Sequence, residues 1–186
     1  VCVEVCSAAL YLDDDPGVLI SACLFGDGAG AAVWSARPAR DQRRVQWKAA
    51  RSLLSPQERD ALRFEQRDGM LRNILTREVP ALVAKHVATL LEETLHQYPL
   101  RRDQLTGWVL HAGGREVLAA LQGRLGLSAE ELQRSTTLLR EIGNVSSPFV
   151  LFVLERALAE NAPGGWWWMS SFGAGFSAHG ALLEVE

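Results

Sequence analysis

The sequence predicts an α/β layered fold, and three observations carry that prediction. Segments with strand character alternate with segments of helical period, one long amphipathic helix occupies residues 80–98, and residues 166–185 read as two strands joined through a glycine-rich turn.

Residues 1–12 are rich in Val, Cys and Ala, as in a strand buried on both faces, and Asp13-Asp14-Asp15-Pro16-Gly17 is a turn signal after them. A short apolar piece at 18–25 meets a glycine-rich stretch at 26–30, and 31–34 reads as a further strand. A polar connection at 37–44 leads to a strand at 45–54. Ser55-Pro56-Gln57-Glu58 then places an N-cap residue, a first-turn proline and an acid at the start of a short helix. In 80–98 the apolar residues Val83, Val87, Leu90, Leu91, Leu95 and Tyr98 recur at helical spacing, while Lys85, Thr89, Glu92, Glu93 and His96 form the polar stripe. A short strand at 107–111 runs through Gly113-Gly114 into a helix at 115–125, which Gly126 closes. Ser128 and Glu131 make a capping box for the next helix. Residues 149–158 are apolar nearly all round, which predicts a helix buried at the centre of a larger body.

With 186 residues, 48% hydrophobic and 22% charged, the chain suits one globular unit spanning 1–186. A net charge of -3 offers no basic face to a phosphate backbone, so nucleic acid is not an expected partner. Cys2, Cys6 and Cys23 are odd in number and lack C-x-x-C spacing, which argues against a disulfide framework or a metal site. No apolar run reaches membrane-spanning length and no leader pattern is visible, so the expected location is the cytoplasm, away from the membrane. Because the chain opens directly on an apolar, β-rich segment, it is expected to begin inside a domain.

Two residues stand where chemistry could sit. His111 ends a short strand before a Gly-Gly turn, where open α/β sheets place ligand-binding groups; it could equally be structural. Asn144 precedes the apolar helix, where an amide donor could serve an oxyanion; it could equally be a helix cap. The glycine pattern from Gly26 to Gly30 superficially suggests a dinucleotide loop, but the piece after it reads as a strand where that fingerprint needs a helix. The Trp166-Trp167-Trp168 run is expected to pack in the core, and His86, His96 and His179 are read as solvated or structural, without partners.

Taken in order, Phe25-Gly26-Asp27-Gly28-Ala29, His111-Ala112-Gly113-Gly114, Gly143-Asn144-Val145-Ser146-Ser147 and Phe172-Gly173-Ala174-Gly175 resemble the type III polyketide synthases, the relatives of chalcone and stilbene synthases. The resemblance spans essentially the whole chain. It implies the C-terminal half of a thiolase-like α-β-α fold, with a Cys-His-Asn active site whose His is His111 and whose Asn is Asn144. It places the aromatic gate of the acyl tunnel at Phe25 and a cavity hydroxyl at Ser146, with Cys6, Ala9, Phe64 and Asn73 at further cavity positions. Gly113, Phe172 and Gly173 fall on the same substrate-binding motifs. The family's cysteine lies upstream of the strand that opens this chain, and none of the three cysteines here matches it; Cys6 is read as a pocket side chain.

What the resemblance implies chemically is a decarboxylative Claisen condensation of an acyl-CoA starter with malonyl-CoA, needing no cofactor beyond its CoA thioester substrates, in a homodimer. A thiolate, made accessible by a neighbouring imidazolium, takes the acyl group, and His and Asn donors stabilise the malonyl enolate. A ketoacyl carrier-protein synthase III relative and a non-catalytic subunit of the same fold are the alternatives. The Asn-Val-Ser-Ser-Pro stretch and the Phe-Gly-Ala-Gly turn look more like the polyketide branch.

Overall fold

The computed structural model describes residues 1–9, 11, 13–37 and 42–186. Its centre is a four-stranded sheet of order β3-β8-β7-β6, built from β3 (Val45–Leu54), β6 (Leu105–Leu110), β7 (Gly165–Gly173) and β8 (Ser177–Val185). The connections dictate the directions. β7 and β8 join through a tight turn containing Gly175 at φ 109° and pair antiparallel, as do β8 and β3. β6 and β7 are parallel, so the chain crosses over between them through three helices.

Those helices are α3 (Arg115–Leu125), α4 (Ala129–Ile142) and α5 (Phe149–Ala159). Gly126 closes α3 in the left-handed conformation at φ 59°, and the Ser128 hydroxyl and Glu131 carboxylate complete a reciprocal capping box on α4. The long amphipathic helix is α2 (Val79–Gln97), which lays Val83, Val87, Leu90 and Leu91 on the sheet and leaves Lys85, Glu92, Glu93 and His96 in solvent. Each such fully buried Leu or Val contributes about 1.5–3 kcal/mol of transfer free energy.

The tryptophan run packs as expected. Trp167 and Trp168 project to opposite faces of β7 and both are fully buried, so the sheet is covered on both sides. Two glycines make room for them: a Cβ at Gly107 would lie 2.5 Å from the Trp167 ring and one at Gly180 2.3 Å from that of Trp168.

Several local expectations are corrected. Strand β1 covers only Cys2–Glu4, pairs with β2 (Gly28–Gly30) alone, and gives way to a 3-10 turn at Cys6–Ala9. With no described element over it, Val1, Val3 and Val5 are 94, 61 and 58% exposed rather than buried on both faces. Leu10, Leu12 and 38–41, part of the expected strand and connection, lie outside the described residues, as does the Ala9 side chain. The apolar piece after the turn is helix α1 (Pro16–Leu24), because Asp15 caps it, accepting from the Gly17 and Val18 amides at 2.9 and 3.2 Å. Residues 31–34 are irregular; the strand falls on Gly28–Gly30 instead. After β3 the chain makes a single 3-10 turn, Pro56–Glu58, that Ser55 does not cap. Helix α5 buries one stripe, Phe149, Val153 and Ala157, while its remaining apolar residues are half-exposed, since α4 and the sheet cover only one side.

A hairpin that was not expected, β4 (Leu62–Arg67) with β5 (Met70–Leu75), turns at Asp68-Gly69 with φ 52 and 80°. Two successive positive φ values define the turn that an Asp-Gly pair favours. His86 also has a partner after all. It is buried on α2, and its Nε2 meets the Glu58 carboxylate, whose pKa falls to about 2 under the Ser55 hydrogen bond and the His86 and Lys85 charges. His179 shares a hydrogen bond with the Ser52 hydroxyl at 2.8 Å.

Candidate active site

His111 is the first residue beyond β6. Its backbone N–H still donates to Ser170 O of β7 at 2.9 Å, so the parallel ladder fixes its position at the carboxyl end of the sheet. The ring is enclosed by Phe149, edge-on at 5.5 Å between centroids, and by Phe172 at 4.9 Å. Only 7% of the residue is exposed, and burial alone drops its pKa from 6.5 to about 4. The imidazole is therefore neutral at neutral pH, with one N–H to give and one lone pair to accept.

Asn144 is held by a different device. Its backbone forms a parallel bridge beside Phe25, donating to Leu24 O at 2.8 Å and accepting from Gly26 N at 3.0 Å. Gly143 permits that approach: it sits at φ 73°, and a Cβ there would lie 2.9 Å from Leu24 O. The carboxamide is then oriented at both ends, Oδ1 accepting from Ser146 N at 2.9 Å and Nδ2 donating to Gly113 O at 3.2 Å. One Nδ2 hydrogen is left uncommitted. Asn144 is not a helix cap, because α5 starts at Phe149 behind Pro148.

Both side chains line one cleft of about 1650 Å³. Gly113, Ser146, Phe172, Gly173, Phe25 and Phe64 line it too. Behind lies a chamber of about 200 Å³ reached by Cys6. Phe25, Phe64, Asn73 and Ser146 line both spaces, so the Phe25 ring stands where cleft and chamber meet. Ten of the eleven residues singled out from the sequence thus line two adjoining cavities, and the side chain of the eleventh, Ala9, lies outside the described structure. The packing between motifs is tight: a Cβ on Gly113 would lie 2.4 Å from Phe172 Cζ.

Cys6 lacks the environment of a nucleophile. Burial pushes its thiol pKa up, and the Glu4 and Asp27 carboxylates push it further. Sequence reading passed over three arginines on the cleft wall, Arg77, Arg115 and Arg140, and the exposed Cys23 of α1. The one available signal was Arg115 following Gly113-Gly114 directly.

A sheet whose carboxyl edge brings an imidazole and a carboxamide to one cleft defines one part of a condensing-enzyme fold. The family model described as chalcone and stilbene synthases, C-terminal domain, matches residues 46–184, and the chain belongs to that family. It is 32% identical over 192 residues to a 3,5-dihydroxyphenylacetyl-CoA synthase of Streptomyces toyocaensis, covering 98% of this chain and 49% of that protein. It is 30% identical to type III polyketide synthase 10 of Oryza sativa subsp. japonica, covering 92% of this chain and 46% of the relative. The crystal structure of PKS-I from the brown alga Ectocarpus siliculosus superposes with a TM-score of 0.83 at 29% identity, covering 98% of this chain and 51% of that one. The chain thus spans about half the length of the relatives it matches.

Proposed function

We propose that the protein condenses an acyl-CoA starter with malonyl-CoA as a type III polyketide synthase, this chain supplying His111 and Asn144 and an upstream segment the cysteine. The observation that supports this most is the Asn144 carboxamide, fixed at Oδ1 and at one Nδ2 hydrogen while the other hydrogen stays free, in the cleft that also holds the buried His111.

In this reading the neutral imidazole accepts the thiol proton, and the resulting thiolate raises the imidazole pKa in turn, so the ion pair is self-supporting. The thiolate attacks the starter carbonyl and CoA leaves with a proton as the free thiol. Malonyl-CoA then loses carbon dioxide. The electron pair of the broken C–C bond becomes an enolate, whose oxygen accepts from the His111 N–H and the free Asn144 Nδ2–H. Each such donor is worth about 3–4 kcal/mol where charge develops in a dry site. The enolate carbon attacks the acyl thioester, the cysteine thiolate leaves, and the product is a β-oxoacyl-CoA two carbons longer. Phe25 divides the reacting cleft from the chamber that Cys6 lines, and Gly113, Ser146, Phe64, Phe172 and Gly173 shape the walls. A homodimer in the cytoplasm is the assembly and place this reading carries.

The test is condensation itself, run with the polypeptide that carries the upstream cysteine. Radiolabelled malonyl-CoA and an acyl-CoA should yield a product extended by two carbons for each carbon dioxide released. Decarboxylation and extension both absent across a panel of aliphatic and aromatic starters would overturn the reading.

A further inference from the structure

The wall of the cleft that carries Phe172 is a turn with little of its own to hold it. Phe172, Gly173 and Ala174 line the cavity, and Gly175 at φ 109° completes the turn into β8. A Cβ at Gly175 would meet nothing within 4 Å and one at Gly173 only Ser177 Oγ at 3.6 Å, so packing at these positions does not fix the turn. The backbone bond from Gly175 N to Leu62 O is long, at 3.4 Å. Yet the position of this turn matters, because the Phe172 ring, 4.9 Å from that of His111, helps to enclose the imidazole.

The turn is gripped at its far end. Phe176 is fully buried, its carbonyl accepts from Ser55 N at 2.8 Å, and its ring lies 5.7 Å from that of His86 on α2. Ser55 is itself buried and opens the 3-10 turn Pro56–Glu58, with Glu58 N donating to Ser55 O at 3.0 Å. The Glu58 carboxylate reaches both holders of Phe176: it accepts from the Ser55 hydroxyl and meets His86 Nε2. Lys85 approaches the same carboxylate at 3.4 Å, but its side chain is exposed and such a pair contributes little. His86 is buried, and no step of the proposed chemistry uses it.

We infer that Glu58 and His86 are positioning residues: together they clamp Phe176, and through the short turn that clamp sets Phe172 against His111 in the cleft. The inference rests on the proposed function for its activity readout alone. A displaced Phe172 would open His111 to water and let the imidazole leave its working position. A misplacement of about 1 Å in a reacting group costs up to about a hundredfold in rate.

The experiment compares the wild type with Glu58→Ala, His86→Leu, their combination and His86→Gln, in the polypeptide that carries the upstream cysteine. Leucine fills the space of the ring without the hydrogen bond, whereas glutamine can offer an amide N–H to the Glu58 carboxylate. Thr94→Ala is the control, since Thr94 is buried further along α2 and its hydroxyl bonds within the helix, to Leu90 O at 2.7 Å. Two quantities are read: carbethoxylation of His111 by diethyl pyrocarbonate without substrate, referred to the exposed His96 by peptide mass spectrometry, and the kinetics of carbon dioxide release from malonyl-CoA. Glu58→Ala and His86→Leu should each raise the His111 reaction several-fold and lower kcat about tenfold, with KM held within about twofold. The double variant should match the singles because both side chains serve one clamp, and His86→Gln should recover most of both changes. Thr94→Ala should leave both at wild-type values. Wild-type His111 reactivity in Glu58→Ala overturns the clamp whatever the activity, and that variant, in a half-buried surface turn, decides the matter should His86→Leu not fold. His111 opened equally by Thr94→Ala also overturns it, as a general effect of lost stability. His111 opened by Glu58→Ala alone, in a protein whose wild type releases no carbon dioxide, supports the clamp and overturns the proposed function.

Discussion

Asn144 Nδ2 donates to Gly113 O at 3.2 Å, and this one bond joins the two motifs on which the site is built. Gly113 lies two residues beyond His111, and Asn144 lies on the far side of α3 and α4, so the bond sets where the carboxamide stands relative to the imidazole.

Asn144→Asp removes the donor at that bond and sets a carboxylate oxygen against the Gly113 carbonyl, while the Oδ1 contact to Ser146 N can persist. It should cost about 1–3 kcal/mol of stability, the range for a buried polar group left without its partner. Urea denaturation should rank it below Asn144→Ala. The reverse order would show that Gly113 O does not orient the amide.

Gly113→Ala places a Cβ 2.4 Å from Phe172 Cζ, so the ring that packs on His111 has to move. A destabilisation of about 1–3 kcal/mol is expected from such overpacking. Phe172→Leu in the same chain should recover part of it, and a double-mutant cycle measures the coupling. Strict additivity of the two substitutions would contradict the contact.

Acid should weaken the fold in two windows. His111 has a native pKa of about 4 against an ordinary 6.5, so between those values the unfolded chain binds the extra proton and stability falls as pH drops. The shift corresponds to at most about 3 kcal/mol at 1.36 kcal/mol per pH unit. Glu58 is depressed from 4.5 to about 2, so its contribution is present above 4.5 and is lost as pH falls toward 2. Denaturation midpoints measured across pH should show His111→Gln flattening the upper window only and Glu58→Gln the lower one only. A wild-type profile flat between pH 6.5 and 4 would contradict the burial of a neutral imidazole.

Asp15 does two jobs with two oxygens: Oδ1 caps α1, and Oδ2 accepts from Arg72 of β5 at 2.6 Å. Asp15→Asn keeps a capping oxygen and loses the charge pair, whereas Asp15→Ala loses both. The alanine variant should be the less stable by about 1 kcal/mol, the usual worth of a cap, on thermal unfolding. Equal melting temperatures would mean the cap contributes nothing.

Much of this architecture is legible in local chemistry. Helices α2, α3 and α4 follow from periodicity, from Gly126 and from the Ser128–Glu131 box, because those signals act within one or two turns of chain. The hairpin at Asp68-Gly69 carried its signal openly, yet its strands face the cleft with Phe64 58% exposed, so alternation of apolar and polar residues was weak. Helix α1 was concealed because its cap, Asp15, sits inside an Asp-Asp-Asp-Pro-Gly run that reads equally as a turn. Strand β1 was overestimated because composition reports the burial a segment favours, and the described elements leave Val1, Val3 and Val5 uncovered. The site motifs were legible as an ordered set. The bonds that orient Asn144, the neutral state of His111 and the three cleft arginines were not, since each depends on residues brought together only by folding.

The most direct test of the proposal that His111 and Asn144 donate to one enolate oxygen is the rate of carbon dioxide release from malonyl-CoA by the polypeptide that carries the proposed upstream cysteine, bearing His111→Gln, Asn144→Ala and both. Each single variant, with its circular dichroism unchanged, should lose about 10²–10³-fold, and the double should lose far less than the product of the two because both donors serve the same charge. Carbon dioxide release retained near the wild-type rate in either folded single variant would contradict the account.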